Sequence, residues 1–168
     1  MNKSAEDDFR SFVDSRWPRL LRTAYLLTGH HQDAEDLVQA ALVRAYTRWE
    51  RVRSAHNPEA YVWRILINTN ADRLRRRRFG EWLTHWLPER SAPDCTDQLV
   101  ERGVLLEALR ALPARQRATV VLRYLEDRSE SEVAELLGTS VGTVRSQTAR
   151  ALARLRAEVP RLTASERA

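Results

Sequence analysis

Long apolar runs are missing from this chain. No stretch approaches the roughly 20 residues needed to cross a bilayer, and the first residues are acidic and polar, unlike a secretory leader. A single cysteine, Cys95, excludes an internal disulfide and a multi-cysteine metal site. Glycine is scarce, with five in 168 residues, and no phosphate-cradling glycine loop, nucleophile elbow or metalloprotease spacing occurs. His56 and His85 stand alone, and Cys95 has no base near it in the sequence. His30 and His31 precede Asp33, Glu35 and Asp36, but no further ligand cluster completes a metal site. An enzyme is therefore not expected, nor a cofactor or a metal. The expected location is cytoplasmic, with no membrane insertion.

Period-two alternation and internal repeats are also absent. What abounds is alanine, leucine and arginine, so the expected fold class is all-α. Lys3 is the only lysine; the arginine bias fits a GC-rich genome. Net charge is +5, unevenly placed. Residues 1–80 carry 15 basic and 10 acidic side chains, residues 81–97 carry 1 and 4, and residues 98–168 carry 12 and 9. Two basic lobes flanking an acidic connector suit a chain that touches a polyanion twice. The same pattern also fits an ordinary solvated surface.

Hydrophobic periodicity predicts a helix over 6–28, carrying Phe9, Phe12, Val13, Trp17, Leu20, Leu21, Ala24 and Tyr25 and ending at Gly29. A second helix is expected from Asp33 to Trp49, with Leu37, Ala41, Leu42 and Ala45 on one face and carboxylates in its first turn. A third opens with Asn57 as N-cap and Pro58 at the first position, and runs to about Arg78. Gly80, Pro88, Ser91 and Pro93 mark 79–97 as a linker. Within it Trp82, Leu83, Trp86 and Leu87 form an apolar patch suited to packing on a partner or a neighbouring lobe. The second lobe is expected to hold four helices: 98–111, Pro113 to Leu125, a short one capped by the Ser129/Glu132 capping box and ending at Leu137, and a last one from Ser140 to Val159. The expected division is thus 1–78, linker 79–97, 98–159 and a tail 160–168.

Residues 130–149 read as a helix-turn-helix. Val133, Ala134 and Leu137 form the inner face of its first helix, Gly138 permits a left-handed turn, and Val141 and Val144 anchor its second helix. On that last helix Val141, Val144, Thr148, Leu152, Leu155 and Val159 share one side. Gly142, Ser146, Ala149 and Ala153 share the other, flanked by Thr143, Arg145, Arg150, Arg154 and Arg156. Small residues let a helix sit deep in a groove while arginines reach phosphates or base edges. A hairpin with a merely solvated outer face fits the same pattern. In the first lobe, Trp63, Leu66, Ile67 and Leu74 form the core side of the third helix, and Asn70 among them should find a buried partner. Tyr61, Arg64, Asn68, Asp72 and Arg75 share the other side, a set suited to unstacked bases. The run Arg75 to Arg78 also fits a solvated helix end stabilised by the dipole.

Three ordered segments resemble the extracytoplasmic-function (ECF) sigma factors, the smallest members of the sigma-70 family. They are Asp33-Ala34-Glu35-Asp36-Leu37-Val38-Gln39; Tyr61 to Asn68 with Asp72, Leu74, Arg75 and Arg76; and Leu112 to Arg117, Leu122-Arg123-Tyr124 and Ser140 to Ser146. The match spans about residues 9–157. It implies a three-helix region-two lobe and a four-helix region-four lobe joined by a linker, and a function in directing core RNA polymerase to promoters. Contacts with the polymerase clamp are implied for Asp33, Asp36, Leu37 and Gln39, with the flap region as a further polymerase contact. Capture of the melted −10 strand is implied for Tyr61, Arg64, Asn68, Asp72, Arg75 and Arg76. Reading of the −35 duplex is implied for Ser140, Thr143, Arg145, Ser146, Arg150 and Arg154. An anti-sigma factor is implied as a regulatory partner. Gln147 departs from the pattern, since the family often has arginine after this serine. The helix-turn-helix alone also fits a stand-alone duplex-binding regulator, and the tryptophan patch alone an adaptor protein.

Overall fold

The computed structural model describes residues 3–83 and 100–166. All its regular elements there are helical. Helix α1 spans Lys3–Thr28, α2 His31–Tyr46, α3 Trp49–Ser54 and α4 Pro58–Leu83. The second half contains α5 Val100–Arg110, α6 Ala114–Val120, a π-helical turn Val121–Leu125, α7 Glu130–Leu137 and α8 Val141–Glu166.

Local chemistry accounts for most of these limits. Gly29 adopts φ +78° after α1, a conformation that costs other residues more. Asn57 Oδ1 accepts from Ala60 N at 3.0 Å, capping α4. Helix α3 is a correction to the expected single helix through Trp49. The chain breaks at Thr47–Arg48, which turns Trp49 and Val52 inward. Trp49 then meets Phe9 edge-on at 5.1 Å and Phe12 at 5.4 Å. Burying an indole between two rings offsets the lost helical bonds.

Two other limits also differ from the sequence expectation. Helix α4 runs through Gly80 to Leu83 rather than stopping at Arg78. An interior glycine costs a helix only about 1 kcal/mol. The run Arg75–Arg78 is therefore not a helix end, and the dipole reading of it fails. Helix α8 passes Pro160 and continues to Glu166, where Val159 proves exposed. At such exposed positions water can satisfy the carbonyl that proline's missing N–H leaves open. Trp86, Leu87, Pro88, Ser91, Pro93 and Cys95 lie outside the described residues.

Two cores result. Helices α1 to α4 enclose Leu20, Ala24, Leu37, Val38, Trp49, Val52, Val62, Trp63 and Leu66. The second core joins Leu109, Leu112, Val121, Leu122, Val133, Val144 and Ala151 with Leu27 of α1 and Ile67 of α4. The lobes are thus in direct contact. Arg117 ties them: its Nη1 donates to Leu27 O at 3.1 Å, and its other nitrogens donate to the carbonyls of Leu109, Arg110 and Leu112. Burial pulls its guanidinium pKa below the ordinary arginine range, with the like charges of Arg73 and Arg110 adding to the shift. Arg110 Nε donates to Gly29 O at 2.9 Å.

Gly29 is where conformation and packing coincide. A Cβ there would lie 2.9 Å from Arg110 Cγ, in addition to the strained φ. Gly29→Ala is expected to cost about 1–3 kcal/mol, whereas Gly80→Ala, in a helix with open space beside it, should gain about 0.5–1 kcal/mol. Urea denaturation of the two variants checks this; equal effects would contradict it.

Candidate nucleic-acid interface

The helix-turn-helix is assembled by its caps. Ser129 Oγ accepts from Glu132 N at 3.1 Å, and Ser129 N donates to Glu132 Oε2 at 2.7 Å. The hydrogen bond from the Ser129 backbone is the first cause holding the Glu132 carboxyl below its ordinary 4.5. Gly138, at φ +62°, makes the turn. Ser140 Oγ accepts from Thr143 N at 3.1 Å and starts α8. Val133, Ala134 and Val144 are buried between the two helices, which sets the angle at which α8 leaves α7.

The outer face of α8 matches the expected strip. Ser140, Gly142, Arg145, Ser146, Ala149, Arg150, Ala153 and Arg154 are all exposed. Arg145 Nε reaches Glu130 Oε2 at 2.8 Å, so its guanidinium is held over the N-terminus of α7. Thr143 and Gln147 are half-buried and line a cleft against Asn70, Ala71 and Leu74 of α4. The departure at Gln147 therefore falls at the lobe boundary, off the outer strip.

On α4, Arg64, Asn68, Arg75 and Arg76 are exposed, while Tyr61 is half-buried and packs on the first core. Asp72 is taken up by arginines: Arg44 Nη1 lies 2.9 Å from Oδ2, and Arg75 bonds the other oxygen. These hydrogen bonds, Arg44 first and then Arg75, hold its carboxyl below the usual 3.8. Arg64 pairs with Glu135 of α7. Asn70 is buried and accepts from Arg73 Nη2 at 3.3 Å.

On α2 the four expected contact residues separate. Asp33 pairs with Arg73 at 3.3 Å and Arg77 at 3.4 Å. Asp36 is exposed and accepts from Gln32 Nε2 at 3.0 Å, and Gln39 is exposed. Leu37 is only 1% exposed, so it supports this face from within the core and offers no surface. Sequence reasoning missed Val43, 63% exposed, and Tyr46, 41% exposed, on the same helix. The spacing Asp36, Gln39, Val43, Tyr46 is a single helical stripe, and that periodicity was available to find them.

Among the described residues no group of three His, Cys, Asp or Glu side chains could hold a metal, and no helix is long and apolar enough to cross a membrane. Two helical lobes, one with a capped helix-turn-helix and an arginine-flanked outer face, define a helical DNA-binding protein. Residues 12–80 match the family model for sigma-70 region 2, and residues 102–155 match the model for sigma-70 region 4. The chain is 43% identical to the RNA polymerase sigma-E factor of Streptomyces coelicolor over 152 residues, covering 90% of this chain and 86% of that protein. It is 26% identical to the ECF RNA polymerase sigma factor SigW of Bacillus subtilis, covering 95% of this chain and 92% of that one. The sigma factor RpoE of Bartonella quintana, solved in complex with the anti-sigma factor NepR, aligns with a TM-score of 0.74 at 27% identity, covering 91% of this chain and 97% of that chain. The chain belongs to the sigma-70 family, as an ECF-type RNA polymerase sigma factor. It directs transcription initiation, a regulatory task rather than an enzymatic one.

The caps give a direct test of how the helix-turn-helix is held. Ser129→Ala should cost about 0.5–2 kcal/mol of stability, read from urea denaturation. Because the Glu132 carboxyl is held low in the folded state, its contribution is present above its ordinary pKa and is lost as pH falls through the lower folded value. The difference in stability between Glu132→Gln and the parent should shrink below about pH 4; a constant difference would remove the Glu132 charge from the cap.

Proposed function

We propose that the two lobes divide promoter recognition between duplex and melted strand. The observation that carries this reading is the contrast between two exposed surfaces. On α8 a strip of small residues lies between arginines, a shape that enters a major groove. On α4 exposed Asn68 is flanked by Arg64, Arg75 and Arg76, groups that hydrogen-bond and stack on unpaired bases. Region four, through Ser140, Arg145, Ser146, Arg150 and Arg154, reads the −35 duplex, with Thr143 half-buried at the edge of that strip. Region two, through Arg64, Asn68, Arg75 and Arg76, holds the −10 strand. Tyr61 supports that surface from the core side, and Asp72 sets the posture of Arg44 and Arg75.

The exposed stripe of α2, Asp36 and Gln39 with Val43 and Tyr46 beyond them, docks on the clamp of core RNA polymerase, with Asp33 fixing Arg73 and Arg77 behind it. Region four meets the flap. The division into 1–78, the 79–97 connector, 98–159 and the terminal segment follows these roles, although α4 and α8 run past the outer limits. The site of action is the cytoplasm, on the nucleoid. An anti-sigma factor is a fitting regulatory partner, since the RpoE protein of similar fold was solved with one.

Energetics favour the same division. Opening a duplex costs about 1.4 kcal/mol per stacked step, and each captured base returns roughly 1–3 kcal/mol by stacking. Two modest contacts on one large polymerase reinforce each other through effective concentration. Asn68→Ala should impair opening of the −10 element, read by permanganate footprinting of the holoenzyme, more than −35 binding. Arg145→Ala should do the reverse, costing about 1–3 kcal/mol at one −35 position. Equal effects of both variants on both elements would falsify the division.

A further inference from the structure

The boundary between the lobes buries a charge. The side chain of Glu126, at the end of the π-helical turn, is 1% exposed. Both its oxygens are engaged by α1 of the other lobe. Arg19 Nη2 lies 3.0 Å and Arg19 Nε 3.1 Å from Oε2, and Thr23 donates its hydroxyl to Oε1. Arg19 also pairs with Glu59 at 2.7 Å, and its guanidinium lies 5.5 Å from the Trp63 ring. Arg128 stands 5.9 Å from the same ring. The backbone is shaped for this contact: the π turn returns Glu126 N to Val121 O at 3.0 Å, and Asp127 follows at φ +52°. An isolated carboxylate would not be buried there, because the desolvation cost must be met by a charge-matched partner. In this case the partner belongs to the other lobe.

The same boundary brings the two proposed reading surfaces together. Arg64 on α4 is paired with Glu135 on α7, and Asn68 lies one helical turn further along α4, about 6 Å. Elements centred at −35 and −10 are some 25 base pairs apart, roughly 85 Å of B-form duplex at 3.4 Å per step. Lobes that share a core cannot span that distance. We infer that Glu126, held by Arg19 and Thr23, latches the free sigma factor in a closed state that must open before both promoter elements and both polymerase surfaces are engaged. The inhibitory part of this inference rests on the division of labour proposed above; the latch itself does not.

Breaking one side of a buried ion pair strands the other charge in the closed state only. Glu126→Gln and Arg19→Gln should each move the balance toward open by about tenfold or more. The two variants are complementary, because Arg19 is partly exposed and its loss leaves the core of region four intact. Small-angle X-ray scattering of the full chain reads the latch without DNA or polymerase. The parent should be near the ~15 Å radius of gyration of a compact chain of this length, and both variants several ångström larger, with helical circular dichroism unchanged. The apparent affinity for purified core RNA polymerase should then tighten in both, by up to the same factor, as the fraction able to bind rises. An extended parent, or an Arg19→Gln variant that stays folded and compact, overturns the latch. Expansion without tighter core binding overturns its inhibitory role. If neither parent nor variant binds core polymerase at all, the proposed function fails and the inhibitory role with it, while scattering still decides whether the latch exists.

Discussion

A carboxylate removed from water is costly unless charged hydrogen bonds meet both of its oxygens. Glu126 satisfies that condition only while α1 lies against the π-helical turn, because Arg19 and Thr23 come from α1. The second core depends on the same approach, since Leu27 and Ile67 fill it from the first lobe. So does the Arg117 bond to Leu27 O and the Arg110 bond to Gly29 O. Apolar burial supplies the larger share of attraction across this boundary, as it does in cores generally. The polar contacts decide the register, because each has one geometry in which it is satisfied.

Away from that boundary, carboxylates act mainly on arginines. Asp33 holds Arg73 and Arg77, Asp72 holds Arg44 and Arg75, and Glu130 holds Arg145. Pairs of this kind that reach solvent, such as Arg145–Glu130, are worth about 0–1 kcal/mol. On the proposed nucleic-acid surface that weakness would serve Arg75 and Arg145, because a phosphate can replace the carboxylate at little cost.

Much of the fold was legible from residues alone where one residue type answers one local demand. Asn57, the Ser129/Glu132 pair, Ser140, Gly29 and Gly138 all mark helix limits that the structure repeats. The three segments resembling ECF sigma factors proved equally legible, since they fall inside the two matched regions. Less legible were α3, the continuation of α4 past Gly80 and that of α8 past Pro160. Glycine and proline carry penalties, not prohibitions, and long-range packing or solvation decides whether a penalty is met. On α2, the pattern that marked a contact helix did not separate Asp36 and Gln39, which face outward, from Leu37, which faces the core.

By itself the sequence determined the helical class, the caps that start α4, α7 and α8, and the small-residue strip framed by arginines. These depend on neighbours three or four positions away, and that information is local. Only the tertiary structure decided that Leu27 and Ile67 serve the second core, that Glu126 is buried against α1, and that Asp33 and Asp72 are committed to arginines. Those pairings join residues far apart along the chain. Side-chain periodicity says which face of a helix is apolar, but not which other helix will cover it.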